Sequence, residues 1–115
     1  MLDLVYNPTA RTYQAPLQLK STGGIFIEVI QDRRVALAPL DQAGARRCID
    51  GLALRSVLDG VRGAPACDVN AVADALSRLS RLASDLGEFI QEMDVNPIKV
   101  GPDGCVAVDA LVVPV

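Results

Sequence analysis

Asn96 and Asp109 are the two side chains best able to do chemistry together, and their types suit a hard cation. They frame the stretch Glu92 to Asp109, EMDVNPIKVGPDGCVAVD, which reads as a β-hairpin. Ile98-Lys99-Val100 run into Gly101-Pro102-Asp103-Gly104, and Cys105-Val106-Ala107-Val108 run back. The Gly, Pro and Asp-Gly content makes the middle a turn, and the β-branched flanks make the sides strands. With those four residues as the loop, Val100 faces Cys105. Each step back along one strand then matches a step forward along the other, and Asn96 falls opposite Asp109. Cross-strand neighbours on one face have Cβ atoms about 4.5–5.5 Å apart. An amide oxygen and a carboxylate held that close can share Mg2+, which takes oxygen ligands and keeps waters and substrate phosphates as the rest. Read alone, the same residues also fit a plain turn at Asn96-Pro97 and a solvated Asp109 on an edge strand.

The elements that must hold this hairpin can be read from periodicity. Ile25, Ile27 and Val29 alternate with Phe26, Glu28 and Ile30, Gln31 to Arg34 form a polar turn, and Val35 to Ala38 return. Glu28 is an acid in an otherwise apolar strand. It fits a role near the site as well as it fits a solvated face or an ion pair. Asp41 is placed to cap a first helix, with Leu40 as its staple and Gly51 near its end. Gly44 weakens that helix by up to ~1 kcal/mol relative to alanine. A short apolar piece from Leu52 to Leu58 leads into a loop at Val61-Arg62-Gly63-Ala64-Pro65. Arg62 there suits a phosphate, a carboxylate or a surface ion pair.

Asp68 caps the strongest helix. Val69, Val72, Ala73, Leu76, Leu79, Ala83 and Leu86 form one apolar stripe, Gly87 supplies the stop, and Ser77, Arg78, Arg81 and Ser84 lie off the stripe. Residues 1–22 read as irregular, with a turn at Asn7-Pro8-Thr9 and a short edge strand at Pro16, Leu17 and Leu19. Residues 15–115 read as a single domain. Strand pairs at both ends with helices between argue for an α+β fold, an antiparallel sheet with helices on one face.

Composition excludes several classes. The 115 residues are 50% hydrophobic but only 3% aromatic, so the core must be Leu, Val, Ile and Ala. A net charge of −3 with no basic cluster beyond Arg33-Arg34 and Arg46-Arg47 argues against a nucleic-acid surface. No apolar run approaches the roughly 20 residues of a membrane span. Met1-Leu2-Asp3 lacks the basic start of a signal peptide, so a cytoplasmic location is expected. Cys48, Cys67 and Cys105 are odd in number and widely spaced, which speaks against a disulfide framework or structural zinc and for free thiols acting as small apolar residues. The chain has 0 histidines, which removes Ser-His-Asp and Cys-His nucleophilic sites.

Four collinear stretches carry a resemblance. EMDVNPIKVGPDGCVAVDA resembles the segment E-L-D-I-N-P-L-x-V-x-x-x-G-x-x-A-x-D-A of the ATP-grasp domain in ADP-forming (NDP-forming) acyl-CoA synthetases, with succinyl-CoA synthetase β-subunits more distantly similar. Gly23 to Ile30 with Asp32 is similar to G-G-I-[FY]-V-E-V-L-K-D, and Leu37-Ala38-Pro39-Leu40 to R/L-A-P-L. Leu58-Asp59-Gly60-Val61-Arg62-Gly63 with Pro65 and Asp68 is similar to L-x-G-x-R-G-x-P-x-x-D. The resemblance implies the C-terminal subdomain of an ATP-grasp fold. It makes Asn96 and Asp109, grouped with Asp94, the ligands of Mg2+ bound with ATP or ADP, with Glu28 and Arg62 toward the nucleotide.

The resembled enzymes interconvert acyl-CoA, ADP and phosphate with acid, CoA and ATP. Their lysine-bearing N-terminal half, CoA-binding domains and phosphohistidine have no counterpart here. The expectation is a contributor of Mg-ATP ligands, inactive alone, with a partner chain supplying the rest. Four residues depart from the pattern: Lys20, Ser21, Ala36 and Leu111, with an arginine common where Ala36 and Leu111 stand. Three of them, Ser21, Ala36 and Leu111, motivate an alternative, a non-catalytic remnant or interaction module that no longer binds nucleotide. Homo-oligomers are expected in that case through an uncovered sheet edge.

Overall fold

The computed structural model describes residues 2–7, 12–14, 34–52, 55–60, 63 and 65–115. Strand β1 (Leu2–Asn7) is followed by β2 (Thr12–Gln14), β3 (Val35–Leu37), helix α1 (Gln42–Asp50), a 3-10 turn (Arg55–Asp59), helix α2 (Val69–Asp85), β4 (Ile90–Gly101), β5 (Gly104–Ala107) and β6 (Ala110–Pro114). The strands form one sheet in the order β3-β2-β1-β4-β5, with β6 also on β4, and every described pairing is antiparallel. The fold is α+β, as the element pattern implies.

Leu2–Asn7 and Thr12–Gln14 correct the reading of an irregular N-terminal segment. Leu2–Asn7 is a strand inside the sheet, between β2 and β4. Its alternation is only six residues long and carries Asp3, too weak a local signal without the neighbour it pairs with. The edge strand expected at Pro16 to Leu19 and the strand at Ile25 to Ile30 lie outside the described residues. Val35–Leu37 pairs with β2.

Both helices begin where the sequence indicates. Asp41 Oδ1 accepts from Gly44 N at 2.6 Å, Asp68 Oδ1 accepts from Ala71 N at 3.0 Å, and each satisfies an N–H that the first turn leaves open. Gly44 has a reason beyond propensity. A Cβ there would lie 2.9 Å from the capping Asp41 Oδ1.

The core is aliphatic. Val69, Val72, Ala73, Leu76 and Ala83 of α2 meet Ala45 and Ile49 of α1, and Ile90, Met93, Val95 and Ile98 of β4. Ser80 joins this layer fully buried, and Ser77 is only half-buried. The stripe had left Ser77 outside. These hydroxyls instead pin the segment before α1: Leu40 N donates to Ser80 Oγ at 2.8 Å, and Ser77 Oγ donates to Leu40 O at 2.8 Å. Replacing Ser80 with alanine strands the Leu40 N–H in the interior. A loss of about 1–3 kcal/mol is expected in a denaturant titration, and an unchanged midpoint would show that water takes the bond.

Strand β4 carries an irregularity beside Asn96. Against β1, Leu2 pairs with Ile98 and Leu4 with Val95, so β4 spends three residues where β1 spends two. The extra residue falls at Asn96-Pro97, and Pro97 has no N–H for the ladder. The inward set changes parity there, from Met93 and Val95 to Ile98 and Val100.

Candidate functional site

The hairpin keeps the register expected from its turn. Val100 pairs with Cys105, Lys99 with Val106 and Ile98 with Ala107. Gly101 and Gly104 also pair, so the turn itself is Pro102-Asp103, with Gly104 at φ 138, a conformation that favours glycine. Beyond the irregularity Val95 pairs with Ala110, Asp94 with Leu111 and Met93 with Val112, all in the same register.

Between Ile98↔Ala107 and Val95↔Ala110 each strand has two residues left over, Asn96-Pro97 on one and Val108-Asp109 on the other. Asn96 and Asp109 therefore stand across from each other by count, but in a gap in the ladder and not as a hydrogen-bonded pair. The bulge and the missing Pro97 N–H open that gap. A local break of this kind is a common device for re-aiming side chains next to active sites.

Asp109 is exposed, and its Oδ1 accepts from Ala110 N at 2.8 Å. Asp94, two residues before Asn96, is half-buried, and its Oδ1 is buried with no hydrogen-bond partner among the described residues. Its neighbours in the sheet are Val5 on β1 and Leu111 on β6. The sequence reading missed Val5 because it missed β1. Leu111 is 60% exposed where the resembled pattern often has arginine.

Changing Leu111 to arginine should give Asp94 a charge-assisted partner. We expect stability to rise by about 1 kcal/mol, read as a higher denaturation midpoint in wild type but not in an Asp94→Ala background.

Glu28 and Arg62 lie outside the described residues. No group of three or more His, Cys, Asp or Glu side chains is gathered at metal-binding distance among the described residues. Asp109 at the gap and Asp94 beside it carry carboxylate oxygens, and Asp94 Oδ1 has no hydrogen-bond partner among the described residues. Such a set fits Mg2+, which binds through one or two carboxylates plus phosphates and does not require an all-protein cage.

The three thiols are free and half-buried. Burial raises the Cys48 thiol above its ordinary value, against the opposing pull of Arg34 and Arg47. Burial also raises Cys105, reinforced by Asp68 and Asp74. Raised thiols are poor nucleophiles at neutral pH, which suits a packing role.

A family model described as the ATP-grasp domain matches residues 14–113. The chain belongs to the ATP-grasp domain family. Within it, this ATP-grasp domain is 37% identical over 93 residues to the acetate–CoA ligase [ADP-forming] II subunit beta of Pyrococcus furiosus, covering 79% of this chain and 39% of that one. It is 35% identical over 94 residues to the acetate–CoA ligase [ADP-forming] I of Archaeoglobus fulgidus, covering 82% and 14%. Among solved structures, the dinucleotide-forming acetyl-coenzyme A synthetase 1 of Ca. Korarchaeum cryptofilum superposes with a TM-score of 0.80 at 30% identity, covering 98% of this chain and 52% of that one. That structure contains coenzyme A and Mg-AMPPCP. This ATP-grasp domain thus spans two fifths or less of these two curated relatives and about half of the solved chain. Its resemblance to the ATP-grasp part of ADP-forming acyl-CoA synthetases is established. No described helix is long and apolar enough to cross a membrane.

Proposed function

We propose that this chain supplies the C-terminal half of a nucleotide-binding ATP-grasp site of the ADP-forming acyl-CoA synthetase type. Asn96 and Asp109 would hold Mg2+ there, with Asp94 beside them. The observation that carries this reading is the register of the β4 return: it sets Asn96-Pro97 across from Val108-Asp109 in a chain whose family match runs through both. When bound, Mg2+ would offset the negative charge of the phosphates of ATP or ADP. The chain's own part is to present oxygen donors at a gap that paired strands flank on both sides. The exposed Asp109 keeps its Oδ2 clear of the Ala110 contact.

Glu28 and Arg62 would approach the nucleotide from the remaining loops. A partner chain would complete the cleft and carry the CoA and phosphohistidine chemistry, so this chain alone is inactive. The share of each relative that it spans supports that division. Titrating Mg-ATP and Mg-ADP into the chain tests the retained site directly. Magnesium-dependent heat, with shifts in the Asn96 and Asp109 signals, is expected at millimolar nucleotide. Silence in both would remove the proposal.

One observation favours a second reading. Leu111 faces a half-buried Asp94 whose Oδ1 has no hydrogen-bond partner among the described residues, as in a remnant whose site is no longer maintained. The return strand from Val106 to Val112 also exposes Val106, Val108, Leu111 and Val112, with Asp109 as its one charge. A long apolar edge of this kind recruits further strands. In this reading the chain is an interaction module that self-associates. Sedimentation should then give a dimer or larger species at tens of micromolar, and a clean monomer would rule it out.

A further inference from the structure

The groove between β3 and α1 shares no lining residue with the Asn96–Asp109 gap. It encloses about 360 Å³ and is lined by Arg34, Ala36, Leu40, Arg47 and Cys48, with Gly44 and Gly51 leaving its floor without side chains.

The charge pattern around it is uneven. Of the other described arginines, Arg46 is matched to Asp50 at 3.2 Å, Arg55 to Asp50 at 2.8 Å and to Asp59 at 2.9 Å, and Arg78 to Asp74 at 3.0 Å, while Arg81 on α2 has no such pair among the described residues. Arg34 and Arg47 have no carboxylate within ion-pair distance among the described residues, although Asp and Glu total 14 in the chain. The nearby acid, Asp41, is committed to the helix start through Gly44 N at 2.6 Å.

Arg34 is also held in place. Its Nε donates to Gly51 O at 2.7 Å and its Nη2 donates to the same oxygen, which fixes the guanidinium plane over the end of α1. Any Cβ at Gly51 would come within 2.8 Å of that guanidinium, so the glycine makes the arrangement possible. Arg34 Nη1 is left without a partner among the described residues. Arg47, four residues before Gly51 on α1, borders the same space.

Two fork-shaped cations that share a concave surface, one of them oriented in advance, match the geometry of a phosphoryl oxyanion. The apolar wall of Ala36 and Leu40 leaves room for a small organic group attached to it. We propose that this groove is a binding site for a phosphate group, either free or carried on a small monoester, gripped between Arg34 and Arg47.

The test uses the whole chain at constant ionic strength, with inorganic phosphate in one arm and glycerol 3-phosphate in the other. NMR shifts of the Arg34 Nε–H and of the Cys48 and Gly51 amides are followed. Saturable shifts at millimolar ligand are expected. Tighter binding of the ester would assign the site to a phosphomonoester, and equal binding would assign it to phosphate itself.

Arg34→Ala and Arg47→Ala, both at exposed positions, should each weaken the response about tenfold, while Arg78→Ala should leave it unchanged. Gly51→Ala should weaken binding in the same direction as Arg34→Ala by displacing the guanidinium. Linear, non-saturating shifts, or an equal loss on Arg78→Ala, would overturn the site in favour of general charge attraction.

Discussion

Replacing Asp109 with alanine is expected to weaken magnesium-dependent nucleotide binding by tenfold or more while leaving the fold intact. The expectation follows from what this side chain does and does not touch. Asp109 is exposed, and its one described hydrogen bond runs from Ala110 N to Oδ1 at 2.8 Å. It belongs to neither β5 nor β6, so no ladder bond is lost with it. Stability should therefore move by no more than about 0.5 kcal/mol, as for an ordinary surface position.

Metal affinity should respond far more. Even an outer-shell partner of a metal ligand contributes about 10–100-fold, and Asp109 is proposed as a direct one. Calorimetric titration of Mg-ADP into wild type, Asp109→Ala and Asp109→Asn checks it. Equal affinity for all three would place the cation elsewhere. A loss that persists without magnesium would make Asp109 a nucleotide contact instead of a metal ligand.

The largest effect on stability should come from Ile98. It is 1% exposed, the largest fully buried side chain among the described residues, and it pairs with Ala107 on one side and Leu2 on the other. It is also the first inward residue after the Asn96-Pro97 irregularity. Ile98→Ala removes three carbons from a core with few aromatic side chains to collapse into the space. A loss of about 2–5 kcal/mol is expected, against a total of about 5–15 kcal/mol for a domain of this kind. Denaturant unfolding measures it. A loss below about 1 kcal/mol would mean that α2 closes over the vacancy, and that Ile98 does not fix the parity change in β4.

The two predictions separate. Asp109→Ala tests the chemistry of the gap, and Ile98→Ala tests the frame that keeps the gap in register. Nucleotide affinity in Ile98→Ala should fall only as far as the folded population falls, if the frame acts by holding the ribbon closed.

Much of this molecule could be read from its residues. Asp41 and Asp68 have the side chain a helix start requires, and each is found accepting from the N–H three residues on. The α2 stripe is an intrinsic period of 3.6, so Val69, Val72, Ala73, Leu76 and Ala83 declare their inward face without reference to any neighbour. The hairpin register follows from a turn of fixed length, which is a local property too. The same locality made the four family motifs legible.

Other features were decided only when the elements met. Strand β1 is too short to announce itself, and it becomes a strand because β2 and β4 satisfy its two edges. Ser80 looks like a surface residue in sequence. It is buried because the segment ending in Leu40 needs both a donor and an acceptor where it crosses α2. The extra residue in β4 exists only by comparison with β1, and the gap between Asn96 and Asp109 only by comparison of β4 with β5 and β6, so no reading of β4 alone reveals either. Arg34 and Arg47 are 13 positions apart in a chain dotted with arginines, and only the closure of β3 against α1 brings them to one groove. Caps, stripes and turns are set by interactions within a few residues, and the sequence by itself determined them. Burial of polar groups, strand slippage and the meeting of distant charges depend on which surfaces come together, and the tertiary structure alone decided those.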